Sequence, residues 1–141
     1  MDLFALTRRL VDIESITPNE GAVGNFLCDD LRRRSFESAA MPVEGARANI
    51  LATWPGHPRP EIVFSTHMDT VPPFIPSSED DTSIYGRGSC DAKGIIAAQV
   101  IAAEKLLAEA RPVVEAPRAD AEVAQRVERH EFRSYLNRNA L

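Results

Sequence analysis

The sequence lacks the features that mark several classes of protein. Its two cysteines, Cys28 and Cys90, are too few for a disulfide framework, so a reducing cytoplasm is the expected compartment. No segment approaches the roughly 20 apolar residues that span a bilayer. The amino terminus has no small-residue cleavage site of the kind that ends a signal peptide. Positive charge is scarce too: 16 Lys and Arg against 21 Asp and Glu give a net charge of −5, so neither nucleic acid nor an anionic membrane is an expected partner.

What remains is a composition typical of one globular domain: 141 residues, of which 44% are hydrophobic and 26% charged. Apolar residues at helical spacing predict an amphipathic helix over the first dozen residues. Thr17 is expected to cap a second helix, with Pro18 in its first turn and Glu20 completing a capping box. That helix should run to about Arg34 and bury Val23, Phe26, Leu27 and Leu31.

Strand patterns follow. Asn49–Trp54 is predicted to form a strand, and the continuous apolar run Glu61–Thr66 is typical of a buried central strand. Val71–Asp81 is rich in Pro and acidic residues and predicts a surface loop. Ile84-Tyr85 should lead into a glycine turn, and the Ala-rich stretch Ile95–Glu109 should be helical. The order predicts an α/β fold in which helices cover a sheet.

The composition changes after Arg111. We expect residues 1–111 to form the folded domain and residues 112–141 to form a divergent tail, frame-shifted or partly disordered, with a charged helix over Ala119–Leu136.

The segment Ser65–Pro73 places a histidine and an aspartate just after the predicted central strand. Residues two apart in a strand face the same way, so His67 and Asp69 can touch. A carboxylate that accepts the proton of one imidazole nitrogen leaves the other nitrogen free to bind a metal. The alternative is a pair that merely closes a turn.

A second segment, Gly86–Gly94, opens the Ala-rich helix and carries Asp91, which alone could be a plain helix cap. Its glycine and lysine spacing fits neither a P-loop nor a dinucleotide fingerprint. A carboxylate at a glycine turn together with a strand-end histidine suits a divalent cation, and zinc accepts that pair of ligand types.

Together, His67-Met-Asp69-Thr-Val-Pro-Pro73 and Gly86-Arg-Gly-Ser-Cys-Asp91-Ala-Lys-Gly94 resemble the two amino-terminal signatures of the M20 metallopeptidase family. This family includes acetylornithine deacetylase, succinyl-diaminopimelate desuccinylase and glutamate carboxypeptidases. The resemblance covers about residues 1–110 and implies that residues 1–111 are the amino-terminal part of a zinc-peptidase-like catalytic domain. It further implies hydrolysis of amide bonds in N-acyl amino acids or small peptides.

Carried over by residue, the resemblance implies that His67 binds one zinc ion, that Asp91 bridges two, and that Asp69 orients His67. Cobalt could replace zinc. The Asp91–Ala92 peptide bond is expected to be cis, and Cys90 to be a small buried residue rather than a ligand.

The rest of the family's site is not found. The family has a Glu-Glu pair, of which one member is the general base, and further ligands, but this sequence contains no such pair. Glu115 is a poor match between two prolines, and His57 and His130 are expected to be solvated. We therefore expect the isolated chain to be inactive.

Three explanations remain open: a truncated or frame-shifted hydrolase, a fragment completed by a partner, or a non-catalytic interaction module. The substrate and the oligomeric state do not follow from the sequence. Tyr85 and the loop Phe74–Asp81 are expected to pack at the surface rather than to line a pocket.

Overall fold

The structure is a computed structural model and describes residues 1–57, 59–60 and 62–110. The predicted tail helix, the predicted boundary at Arg111, and the residues Glu115 and His130 lie outside the described residues. Both the tail and the domain boundary therefore stay predictions.

The first predicted helix is confirmed as α1, Leu3–Val11. Asp2 caps it, since its carboxylate accepts a hydrogen bond from the Ala5 amide at 2.8 Å. One face of α1 is buried in the core, where Leu6, Leu10 and Val11 are fully shielded from solvent. The helical spacing of its leucines thus produces the face that packs against the rest of the domain.

The second helix, α2, spans Gly21–Arg33 and buries Val23, Leu27 and Leu31 as predicted, while Phe26 is only half-buried. The predicted cap is wrong. Glu20 occupies the capping position without a side-chain capping bond, because its carboxylate accepts from Arg47 instead, at 3.0 Å. Thr17 lies before the helix, and its hydroxyl donates to Asp69.

Two strands follow α2 and form an antiparallel hairpin: β1, Glu37–Glu44, and β2, Arg47–Thr53. The turn between them contains Gly45 at φ +56°, a conformation that favours glycine. β2 confirms the strand predicted at Asn49–Trp54, apart from small shifts at its ends. β1 was not predicted, because it carries two acidic residues, a proline and no apolar alternation.

The buried central strand predicted at Glu61–Thr66 is wrong for the described residues. Residues 62–66 run outside any strand, and Ile62, Val63 and Phe64 are exposed by 76%, 60% and 53%. A central strand needs a hydrogen-bonded neighbour on each side. Within the part of the chain that the structure describes, this stretch has no such neighbour, and the nearest ladder contact is a single parallel bridge between Ile16 and Thr70.

A second, very short hairpin joins β3, Ser78–Glu79, to β4, Ile84–Tyr85. The rest of the predicted loop Val71–Asp81 is irregular, as expected. The last described element is α3, Lys93–Ala110, which confirms the predicted Ala-rich helix and begins two residues earlier.

The core forms where α1 packs on α3 and α2 packs on the β1–β2 hairpin. Its buried members come from all three helices and from Phe36: they are Leu6, Leu10, Val23, Leu27, Leu31, Phe36, Ile96, Ala97 and Val100. The described fold is thus a mixed α and β domain with helices against a small sheet, as the sequence predicted. Among its helices, none is long and apolar enough to cross a membrane.

Candidate metal site

His67 and Asp69 touch, as their spacing predicts. The distance between His67 Nδ1 and an Asp69 carboxylate oxygen, Oδ1, is 3.1 Å, and the Asp69 backbone oxygen lies 3.2 Å from the same nitrogen. With Nδ1 turned toward these two acceptors, the proton on that nitrogen has a defined partner. The opposite nitrogen, Nε2, is left to face the second segment of the site.

Asp91 lies on that opposite side. Its Oδ1 is 3.0 Å from His67 Nε2, although the two residues are 24 positions apart in the chain. The imidazole therefore lies between two carboxylates, with one at each nitrogen. The Asp91–Ala92 peptide bond is cis, which confirms what the resemblance implied.

The glycine turn before α3 brings Asp91 to this position. Gly88 has φ +91°, and a side chain there would meet both Lys93 and Thr70 at 3.0–3.1 Å. The Lys93 amide donates to the Gly88 carbonyl at 2.9 Å, which closes the turn at the start of the helix. Glycine is favoured at this position because of its backbone angle, and a side chain there would also be crowded by Lys93 and Thr70.

The buried side chain of Lys93 holds the glycine turn in place. Among the described residues it is the largest fully buried side chain, and its Nζ donates to the Ile13 carbonyl at 2.6 Å. Burial lowers the pKa of Lys93 to about 8, and the nearby negative charge of Asp12 opposes that shift. The ammonium group thus connects the start of α3 to the segment that follows α1.

Thr17 is a site residue that the sequence analysis missed. Its hydroxyl donates to Asp69 Oδ2 at 2.9 Å, so each oxygen of that carboxylate has its own partner. Thr17 and Asp69 are 52 positions apart. The motif Thr-Pro-Asn-Glu is equally typical of a helix start, so no local signal could have revealed this contact.

The charges of the site shift its pKa values. Partial burial acts to lower the pKa of His67, but hydrogen bonds with Asp91 and Asp69 outweigh it and raise that pKa above its usual value. Burial acts to raise the pKa of Asp69, but the hydrogen bonds from Thr17 and His67 outweigh it and lower that pKa. Both shifts favour a positive charge between two carboxylates.

The donor set fits a divalent cation. Tetrahedral zinc, with bonds of about 2.0–2.1 Å to nitrogen and oxygen, would separate two ligand atoms by about 3.3 Å. The separation of 3.0 Å between His67 Nε2 and Asp91 Oδ1 is close to that value. The same two side chains are half or more exposed, at 53% and 81%, so a cation could reach them from solvent.

The ligand set is incomplete in the described part of the chain. Across residues 1–57, 59–60 and 62–110, no group of three or more His, Cys, Asp or Glu side chains is placed to hold a metal ion. His57 is exposed, as expected, and its ring lies 6.3 Å from that of Trp54. Asp69 is turned toward His67 and Thr17 and so acts on the histidine.

An open cleft of about 290 Å³ lies beside the two carboxylates. It is lined by both site segments, namely His67, Asp69, Thr70, Val71 and Gly86–Asp91. Such a volume suits a small ligand. Tyr85 does not line it, and its hydroxyl donates to Asp80 at 2.7 Å.

Cys90 corrects one prediction. It is exposed and lines the cleft, whereas a small buried residue was expected. The helix begins only at Lys93, so Cys90 remains in the turn, where its side chain does not reach the core.

The site residues lie within a segment that matches a known family. Residues 63–116 match the model of peptidase family M20/M25/M40. A protein named "Probable carboxypeptidase" from Emericella nidulans is 47% identical over 114 residues, which cover 74% of this chain and 27% of that protein.

Two other relatives give the same result. A protein with the same designation from Aspergillus oryzae is 44% identical over 71% of this chain and 27% of its own length. Another from Paracoccidioides brasiliensis is 42% identical over 74% of this chain and 28% of its own length. The chain therefore spans little more than a quarter of the relatives that it matches. The segment that carries His67, Asp69 and Asp91 is thus similar to peptidase family M20/M25/M40.

Proposed function

We propose that this chain supplies part of the metal centre of a metal-dependent hydrolase that cleaves amide or peptide bonds. The substrates would be small peptides or N-acyl amino acids, as in the deacetylases, desuccinylases and carboxypeptidases of the family. The observation that carries the proposal is the position of the His67 imidazole between two carboxylates, with Nε2 and Asp91 Oδ1 3.0 Å apart.

His67 and Asp91 would be the ligands, and zinc is the proposed metal, with cobalt as a substitute. A bound cation of this kind supplies an activated water and polarises a carbonyl group. Asp69 would hold the imidazole with its proton on Nδ1, so that Nε2 stays unprotonated and available. The cleft of about 290 Å³ would admit the end of a small substrate.

The isolated chain is proposed to be inactive. Hydrolysis needs a base to take the proton of the attacking water. Within the described residues, the carboxylates next to His67 are Asp69 and Asp91, and both already have roles in orientation and ligation. With two protein ligands, an ion would keep most of its shell as water and bind weakly.

Zinc titration of the full chain, with affinity measured by competition with a chelator, tests the metal site. We expect one weak site that is lost in both His67→Ala and Asp91→Ala. His57→Ala is the matched control, because it removes an exposed histidine outside the site and should bind zinc as the unchanged chain does. Equal affinity in His67→Ala and His57→Ala would refute the assignment.

Hydrolysis of N-acyl amino acids and short peptides by the zinc-loaded chain tests the proposed inactivity. We expect no turnover above that of free zinc. Stoichiometric zinc together with turnover that disappears in Asp91→Ala would overturn this part of the proposal while supporting the metal site.

A non-catalytic interaction module is the second candidate, and the exposed apolar run Ile62–Phe64 favours it. An interaction module predicts a stable partner and no zinc dependence. A cytoplasmic location is proposed for either function, on the basis of the two unpaired cysteines.

A further inference from the structure

The side chain of Asp69 is held from two sides. Oδ1 lies 3.1 Å from His67 Nδ1, and Oδ2 accepts the Thr17 hydroxyl proton at 2.9 Å. A carboxylate can rotate about its last bond, and a partner on one oxygen alone does not fix its plane. The second partner removes that freedom, so the orientation of Asp69 depends on Thr17.

The backbone places Thr17 beside Asp69 independently of this hydrogen bond. The Thr70 amide donates to the Ser15 carbonyl at 2.9 Å, and Ile16 forms a parallel bridge with Thr70. The Ser15 hydroxyl also donates to the Met68 carbonyl at 2.8 Å. Because the main chain already fixes the register, the Thr17 hydroxyl loses little further freedom when it binds the carboxylate.

The same segment has a third attachment to the site. Its Ile13 carbonyl accepts from Lys93 Nζ at 2.6 Å, and Lys93 begins the helix that follows Asp91. The residues from Ile13 to Thr17 therefore contact both halves of the candidate site. Thr17 is the one whose side chain reaches a carboxylate of that site.

We propose that Thr17 is a positioning residue, which orients the Asp69 carboxylate so that the proton of a neutral His67 stays on Nδ1 and Nε2 stays free for a cation. This inference rests on the proposed metal site for its purpose. Its immediate effect, the tautomer of His67, can be measured without metal. Among the described residues, Thr17 makes no hydrogen bond to His67 or Asp91 and does not line the cleft, so it acts through Asp69.

The test compares Thr17→Val, which keeps the shape of the side chain and removes the hydroxyl, with Thr17→Ser, which keeps the hydroxyl. Long-range proton–nitrogen NMR on the full, metal-free chain gives the tautomer of His67 at a pH where the imidazole is neutral. We expect Thr17→Val to shift the proton from Nδ1 toward Nε2, and Thr17→Ser to match the unchanged chain.

Zinc affinity is the second readout. Loss of a hydrogen-bond partner of a metal-binding histidine typically lowers the affinity for the metal 10- to 100-fold. Thr17 acts one step farther out, so we expect about a fivefold loss in Thr17→Val, equivalent to one net hydrogen bond, and recovery in Thr17→Ser.

Thr82→Val is the matched control, since the Thr82 hydroxyl also donates to an aspartate, Asp80, at 3.0 Å, in an exposed turn that makes no hydrogen bond to the site. It should change neither readout. Thr17 is exposed, so its replacement removes no core packing, and a thermal melt followed by circular dichroism checks this for each variant. If Thr17→Val has a lower melting temperature than the unchanged chain, Thr17→Ala replaces it in both measurements.

An unchanged His67 tautomer in the folded Thr17→Val chain overturns the proposal, whatever the zinc affinity. If the unchanged chain binds no zinc but its tautomer still depends on the Thr17 hydroxyl, the metal site is refuted and the positioning role is supported.

Discussion

The Arg34 side chain should be a main determinant of the stability of this domain. Only 6% of the side chain is exposed, and its Nε donates to Asp30 Oδ2, of which the side chain is 5% exposed, at 2.6 Å. The guanidinium also pairs with Glu104 on α3 and donates to the Met1 carbonyl at 3.2 Å. It therefore joins α2, α3 and the amino terminus.

The effect of Arg34→Met follows from this burial. Removing one partner of a buried pair costs about 3–5 kcal/mol, because the other charge stays buried without compensation. Asp30 keeps a second partner in Arg33, at 3.2 Å, so the lower end of about 3 kcal/mol is expected. The Glu104 side chain is 42% exposed and is hydrated by water when Arg34 is replaced, so the loss of this ion pair adds little to the change in unfolding free energy.

Urea denaturation followed by the fluorescence of Trp54, the sole tryptophan, measures this change. With a slope of about 1.5 kcal/mol/M, a loss of 3 kcal/mol lowers the midpoint by about 2 M. Arg33→Ala is the matched control. The Arg33 side chain contacts the same carboxylate but is 61% exposed, so this variant should lose about 0.5 kcal/mol of stability.

A further variant isolates the cause. Adding Asp30→Asn to Arg34→Met should recover part of the loss, since no unpaired charge then remains buried. The reasoning is refuted if Arg34→Met costs no more than Arg33→Ala, or if the added Asp30→Asn lowers stability further.

Three other predictions concern the site turn and the cysteines. Because burial lowers the pKa of Lys93 from 10.5 to about 8, the unfolded chain binds more protons between these pH values. The free energy of unfolding should therefore rise with pH across that window, by up to about 3 kcal/mol, and Lys93→Met should lack the rise in urea denaturation. A methyl group at Gly94 would lie 2.1 Å from a backbone oxygen. Gly94→Ala should therefore lower the free energy of unfolding by about 3 kcal/mol, which a thermal melt can measure. Gly24→Ala is the control: its methyl group would meet no atom closer than 3.4 Å, so it should be neutral or stabilising. A thiol reagent should label exposed Cys90 quickly and buried Cys28 only on unfolding, and two fast thiols would contradict that burial.

The helices could be predicted from the sequence because their signals are local. The leucine spacing of α1 and the Ala-rich composition of α3 each favour a helix over a single stretch of chain. The strands were harder, since pairing depends on a neighbour. β1 has little strand propensity and forms by pairing with β2. Residues 62–66 have strong strand propensity, yet they pair with nothing in the described part.

The same distinction applies to the site. The contact between His67 and Asp69 follows from a spacing of two residues. No spacing rule joins His67 to Asp91, which is 24 positions away, so only the ligand chemistry of the two residues and the family resemblance predict their approach. Thr17 was assigned to a helix cap, because its motif fits that role and its partner lies far along the chain.

The hydrogen bonds behind the site also constrain the order in which the protein folds. The bond from Ser15 to Met68 joins residues 53 positions apart, and the bond from Lys93 to Ile13 joins residues 80 positions apart. Closing long loops costs entropy that only later contacts repay. During synthesis, α1, α2 and the β1–β2 hairpin can form while His67 and Asp91 are still on the ribosome. We therefore expect the loop after α1 to stay available until Lys93 emerges, and the contacts of His67 with Asp69 and Asp91 to be among the last to form.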